Sequence, residues 1–265
     1  MTLRFTILGC GSSGGVPRIG GDWGQCDPTD PHNRRRRCSL LVERMGDAGT
    51  TRVLIDASPD LREQLLSAEV GELDGVVFTH AHADHCHGLD DLRMIVIAMR
   101  QRLNIWADEP TMAALKHRFD YAFETPPNSD YPPILDAHLI DGDVTIDGAG
   151  GAIILTPFRV EHGRIDALGF RIGGLAYLPD VSAMTDDAWA AVKDLDVWIV
   201  DALRRAPHPS HAHLERTLEW IAQATPKSAI LTNMHTDLDY ATIDAETPDH
   251  VRPAHDLMRV TLPSS

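Results

Sequence analysis

Long hydrophobic runs are missing from this chain. Stretches such as Ala152 to Leu155 and Val197 to Val200 are far too short to cross a bilayer, and the longer Met94 to Met99 is bracketed by Arg93 and Arg100. The start, Met1 to Leu8, lacks the apolar core and small-residue cleavage site of a secretory leader. No membrane partner is expected, and the reading is a cytoplasmic protein. Cysteine is scarce: Cys10, Cys26, Cys38 and Cys86 include no C-x-x-C pair. A disulfide framework and a four-cysteine zinc site are both disfavoured. Positive charge is short as well. Against 39 acidic residues stand 24 Lys and Arg, a net charge of −15. That balance disfavours a nucleic-acid partner, because such binding relies on cations meeting phosphates. The one basic run, Arg34 to Arg37, can meet a phosphate or form a turn; charge runs usually face water, so a solvated turn is expected.

An apolar share of 43% over 265 residues is enough for a sizeable core. No composition break divides the chain, so a single domain over 1–265 is expected. Leu3 to Leu8 reads as a strand entering the Gly/Ser loop Gly9-Cys10-Gly11-Ser12-Ser13-Gly14-Gly15, which lacks the lysine signature of a nucleotide P-loop. Ser39–Glu43 and Arg52–Asp56 read as paired strands, and Gly75–Thr79 as a buried one. Apolar positions at 89, 92, 95, 96, 99 and 103 predict a helix over 89–102. The aromatic and proline-rich stretch Phe119–Pro133 suits a lid or the contact of a homodimer. In the second half, strands are expected near Val144–Ile146, Ala152–Leu155, Leu168–Ile172, Leu175–Leu178, Val197–Val200 and Ala229–Thr232. Helices are expected near Asp186–Val192 and Leu214–Ala224, with another starting near Tyr240.

The densest chemistry is His80-Ala81-His82-Ala83-Asp84-His85, directly after the apolar Val76-Val77-Phe78. Imidazole and carboxylate together suit Zn²⁺, Mn²⁺ or Fe²⁺. In an extended or tightly turned segment His80 and His82 share one side. Asp84 and His85 follow, and can turn toward a second ion. Further donors must come from elsewhere in the chain. His162, Asp180 and His235 each lie where an apolar strand gives way to a loop. Together these seven residues suffice for two ions sharing one carboxylate. Asp56 and Asp201, at strand ends, can orient ligand imidazoles or act as structural caps.

This ordered set resembles the metallo-β-lactamase-fold hydrolases, over nearly the whole chain. The resemblance implies an α/β fold, a four-layer αββα sandwich. It implies His80, His82 and His162 on one ion, Asp84, His85 and His235 on the other, and Asp180 between them. The cofactors are then two divalent ions, zinc or manganese, with iron a further candidate. Within that family the opening Leu8 to Pro17 is similar to the phosphodiesterase branch, both to phosphoribosyl cyclic phosphate phosphodiesterases and to tRNA 3′-end processing nucleases. Arg34–Ser39 and Asp201 to Leu214 lean toward the former. In that group a histidine ahead of the last ligand assists the leaving group, a position matched by His211, with His213 as the competitor. Asp84 and His211 are the residues expected to take part in catalysis. Two departures stand out. The early loop holds a single cysteine, Cys26, so a structural zinc there is not expected. In the last ligand motif Asn233 stands where the relatives' first histidine aligns and His235 is displaced by two residues; His235 is taken as the ligand because imidazole is the better donor. The expected activity is hydrolysis of a small cyclic phosphate or nucleotide-like diester, by hydroxide formed from water at the two cations. The alternatives are a tRNA-processing nuclease, a thioesterase or lactonase on the same fold, and metal-dependent binding without catalysis.

Overall fold

A computed structural model describes residues 2–263. The chain divides into two compact units. The first comprises residues 2–8, 39–154 and 259–263, and the second 9–38 and 155–258.

The first unit is built on a seven-stranded sheet. Its order is Arg259–Pro263, Thr2–Gly9, Ser39–Gly46, Gly49–Ile55, Gly75–Val77, Leu103–Ala107, Leu135–Leu139. Ser39–Gly46 and Gly49–Ile55 form an antiparallel pair; from Gly49–Ile55 onward the neighbours are parallel. Parallel strands covered on both faces tolerate no alternation, and Val76, Val77 and Phe78 are all fully buried. The second sheet runs Val251–Pro253, Ser228–Thr232, Val197–Asp201, Leu175–Leu178, Ile165–Ile172, Ile153–His162, Val144–Ile146. Its parallel centre, Leu175–Leu178 beside Val197–Asp201, is again buried at every position. Helices flank both sheets, as the αββα expectation requires. Leu214–Ala224 buries Leu214, Thr217, Trp220 and Ile221, the stripe its 3.6-residue period allows.

Several expectations shift. The helix predicted over 89–102 is a 3₁₀ turn at Leu89–Asp91 followed by a helix over Leu92–Met99, with Arg100 in the left-handed region at φ 57°. The strand expected at Ala152–Leu155 runs on to His162, so that Phe158, Val160 and His162 share a buried face. The stretch Phe119–Pro133 contributes one short helix, Asp120–Phe123. It borders a cavity of about 730 Å³ that Ile97, Tyr121 and Tyr131 help to line, and none of the seven candidate ligands lines it. The basic run is not uniformly solvated. Arg34 is exposed, but Arg35 is 2% exposed and donates to Asn33 Oδ1 at 3.1 Å and Leu238 O at 2.7 Å. Charge that finds carbonyl acceptors can be buried. All four cysteines are buried thiols without disulfides. Among the described residues no helix is long and apolar enough to cross a membrane.

Asp239 ties the early loop to the helix Tyr240–Glu246. It caps that helix through Thr242 N at 3.0 Å and accepts from Asn33 Nδ2 at 2.7 Å and Asp27 N at 3.1 Å. Burial pushes its carboxyl up, but these donors outweigh burial and hold it at about 2. The folded pKa lies below the unfolded one, so the contribution is full above the ordinary carboxylate range and is lost as pH falls toward 2. Asp239→Ala should cost roughly 1–2 kcal/mol in urea melts at pH 7. The gap between variant and native protein should narrow between pH 4 and pH 2.

Candidate metal centre

Each unit presents its own group of histidines and carboxylates at the ends of its parallel strands. In the first unit the strand Gly75–Val77 delivers Thr79 and His80 to its carboxyl end. His82 then caps the four-residue helix Ala83–Cys86, which carries Asp84 and His85. The rings of His80 and His82 lie 4.6 Å apart, and those of His80 and His85 4.4 Å. Beneath them sits Asp56, fully buried, at the end of Gly49–Ile55 with φ 64°. Its Oδ1 accepts from Thr79 N at 2.8 Å. Its Oδ2 accepts from Thr79 Oγ1 at 2.8 Å and His85 Nδ1 at 2.7 Å. Thr79 Oγ1 in turn lies 3.0 Å from His80 Nδ1. A carboxylate only accepts, so His85 carries its proton on Nδ1. Thr79, having donated its own proton to Asp56, accepts from His80 Nδ1. Both rings therefore present the Nε2 lone pair for ligation, the usual setting of a metal-binding histidine. Burial raises the Asp56 pKa, and His85 opposes that rise.

The backbone closes tightly behind this group. A Cβ at position 88 would fall 1.9 Å from Ser58 O, so only glycine permits the turn after His85-Cys86-His87. His87 is exposed, edge-on to Phe119.

In the second unit His162 ends the strand Ile153–His162 and donates from Nδ1 to Ser210 O at 2.6 Å. Gly163, at φ 66°, makes this approach possible, since a Cβ there would lie 2.7 Å from Ser210 Cβ. Asp180, 2% exposed, follows the strand Leu175–Leu178, and its Oδ2 stands 3.4 Å from His162 Nε2. Asp201 ends the strand Val197–Asp201. Its Oδ2 accepts from His211 Nδ1 at 2.9 Å and Val181 N at 3.1 Å. Burial pushes the Asp201 carboxyl up to about 6 against the pull of His211. Asn233, 2% exposed at φ 59°, donates from Nδ2 to Asp180 Oδ1 at 3.3 Å and Asp201 Oδ1 at 3.2 Å.

These distances fit cation ligands. Two donors on one tetrahedral ion, with bonds of about 2.0–2.2 Å, stand roughly 3.4 Å apart. His162 Nε2 and Asp180 Oδ2 are 3.4 Å apart, and His85 Nε2 and Asp84 Oδ2 3.6 Å. Within each unit, then, imidazole and carboxylate donors stand at spacings that suit a divalent ion.

His235 is placed differently from the other candidates. Asn233 contacts Asp180 through its amide. His235 meets the guanidinium of Arg18 at both ring nitrogens, with Nδ1 at 3.3 Å, and Asp237 at 3.6 Å. The reason is local. His235 N is committed to Leu203 O and Met234 N to Cys10 O, which turns the ring toward the Gly/Ser loop. Of the two candidate acid histidines, His211 sits on Asp201 and 3.8 Å from Asp180 Oδ2, while His213 is the N-cap of Leu214–Ala224. Asp56 and Asp201 were visible as acids at strand ends; the Thr79 hydroxyl and the Ser210 carbonyl carry no sequence signal.

Asp56→Ala leaves the Thr79 and His85 donors without an acceptor in a dry site. It should cost roughly 2–3 kcal/mol in urea unfolding, whereas His235→Ala should cost under about 1 kcal/mol because its ring is partly exposed.

Comparison with known proteins identifies the family. Residues 51–234 match the β-lactamase superfamily domain. A diphosphatase of the PhnP family is 33% identical, with a TM-score of 0.88 over 99% of this chain and 98% of its own. An octanoyltransferase from Porphyromonas gingivalis is 34% identical over 96% of this chain, which spans 50% of that protein's length. The short form of human tRNase Z shares the fold at 16% identity and a TM-score of 0.66, over 98% of this chain and 99% of its own. The chain belongs to the β-lactamase superfamily as a hydrolase of the metallo-β-lactamase fold, and within it to the PhnP family.

Proposed function

We propose that this protein is a metal-dependent phosphoesterase acting on a small phosphodiester, with a nucleotide-like or cyclic phosphate as its substrate. The observation that carries this reading is the fixed Nδ1–H tautomer of His80, His85 and His162 beside Asp84 and Asp180. Such a donor set serves a divalent cation such as zinc or manganese. By the family resemblance, His80, His82 and His162 would hold one ion. By the same resemblance, Asp84 and His85 would serve a second, with Asp180 between them. When bound, these cations supply the charge that acidifies water and offsets the charge gathering on the phosphoryl oxygens.

The rest is the work of side chains. Asp56 and Ser210 O keep the ligand rings from turning. Asn233 holds Asp180 and Asp201 by one amide and so fixes the Asp180 oxygens in place. Asp201 orients His211 through Nδ1, which leaves the Nε2 edge to protonate the departing oxygen or to grip the phosphate. The 33% identical relative is a diphosphatase, so a phosphoanhydride is the second substrate class to assay. The octanoyltransferase name belongs to a protein twice the length matched, and thioester turnover is a lesser reading. A tRNA substrate is disfavoured by the net charge of −15.

Metal analysis of the purified protein, followed by assay on bis(p-nitrophenyl) phosphate and cyclic phosphates, tests the proposal. Asp180→Ala should lose both metal and activity. His211→Ala should lower turnover by about 10²–10⁴-fold with metal content unchanged. His235→Ala should leave metal content unchanged, since its ring faces Arg18. Turnover of a thioester or lactone with none of any phosphoester would overturn the assignment.

A further inference from the structure

The groove beside Phe119–Pro133 has no part in the chemistry above, and it lies wholly in the first unit. Residues 100–102 and 132–134, which help to line it, lead into the amino ends of Leu103–Ala107 and Leu135–Leu139. Those strands run parallel to Gly75–Val77, whose carboxyl end leads to His80. Groove and histidine motif therefore occupy opposite edges of one sheet.

Both walls are legible in the sequence. The helix Leu92–Met99 turns Leu92 and Ile95 to the core. Arg93, Val96 and Ile97 recur at helical spacing on another face and line the groove, with Arg100 at its end. The facing wall is the segment that carries Pro126, Pro127, Pro132 and Pro133. Proline fixes φ, and the segment is pinned where it ends. Ile134 N donates to Ala122 O at 2.9 Å, and Leu103 N donates to Ile134 O at 3.0 Å. The space between the walls, about 730 Å³, falls within the roughly 300–1,000 Å³ of small-molecule sites. Ile97 and Tyr131 stand open in it, 57% and 76% exposed.

The rim of this apolar groove is cationic. Arg93 donates to Asp90 Oδ1 at 2.9 Å and lies over the Tyr121 ring at 5.6 Å. Arg102 donates to Asp136 Oδ1 at 2.9 Å. Arg100 is exposed and, among the described residues, makes no hydrogen bond or ion pair. In a chain of net charge −15, three arginines about one apolar groove, one of them lacking a carboxylate, complement an anion with an apolar body. A planar carboxylate matches the guanidinium fork with two parallel hydrogen bonds. The body is hydrocarbon rather than peptide. The helix backbone is bonded within itself, the prolines have no N–H, and Ser129 Oγ already accepts from Tyr131 N at 3.2 Å. A peptide backbone laid there would find few partners.

We propose that this groove binds a fatty-acid-like alkyl carboxylate, its chain between Ile97 and Pro132–Pro133 and its head on Arg100. The site is separate from the metal donors and does not depend on the phosphoesterase reading.

Decanoate, dodecanoate, 1-decanol and acetate, titrated below the micelle threshold into the intact protein by calorimetry, test it. Decanoate should bind at one equivalent. Dodecanoate, with two more methylenes to bury, should bind about tenfold tighter. Decanol, without the charge, should bind at least about fivefold weaker than decanoate, and acetate should not bind. Arg100→Gln should erase the advantage of decanoate over decanol, and Arg100→Lys should retain part of it. Ile97→Asp should weaken both acids at least about tenfold. Thermal melts check folding, and Ile97→Ala is the milder variant if Ile97→Asp unfolds. Decanoate binding that both variants leave unchanged overturns the site, as does no binding at all. Sedimentation covers the remaining occupant: a native dimer that Ile97→Asp splits would mean that a second copy fills the groove, and would also overturn the proposal.

Discussion

A carboxylate without water must collect donors, and that requirement organises both units. Asp56 and Asp201 are each fully buried at the end of a parallel strand. Each raises its own pKa by being there, and each answers with hydrogen bonds. Asp56 takes Thr79 N, Thr79 Oγ1 and His85 Nδ1. Asp201 takes Val181 N, His211 Nδ1 and Asn233 Nδ2. The result is the same in both places: an imidazole whose tautomer and direction are decided from below.

The scheme also explains the turns beside it. A histidine held at Nδ1 needs its neighbours close, and close approach leaves no space for Cβ. Gly88 against Ser58 and Gly163 against Ser210 meet that need. The cost of an unsatisfied buried charge far exceeds the cost of glycine in a turn. Rigid parallel strands supply the footing, and the loops that leave them supply the chemistry.

Much of the arrangement is legible along the chain. Val76-Val77-Phe78 before the six-residue histidine motif marks a buried strand and its functional end. His162 could be placed on a buried face once its strand was known to alternate from Phe158. Less was visible in the last turn. Asn233 and His235 are two residues apart on similar loop backbone, and imidazole is the better donor by chemistry alone. In the fold Asn233, at φ 59°, points its amide between two carboxylates, and the His235 ring lies against Arg18.

Composition and motif order by themselves determined the class of fold, the kind of donor and the strands that carry them, because periodicity and side-chain chemistry are local properties. Which side chain meets which was decided only in three dimensions. The pairing of Thr79 with Asp56, of Ser210 O with His162 and of Arg18 with His235 spans 23, 48 and 217 residues. Such contacts depend on strand order and loop path, and no run of neighbouring residues encodes them.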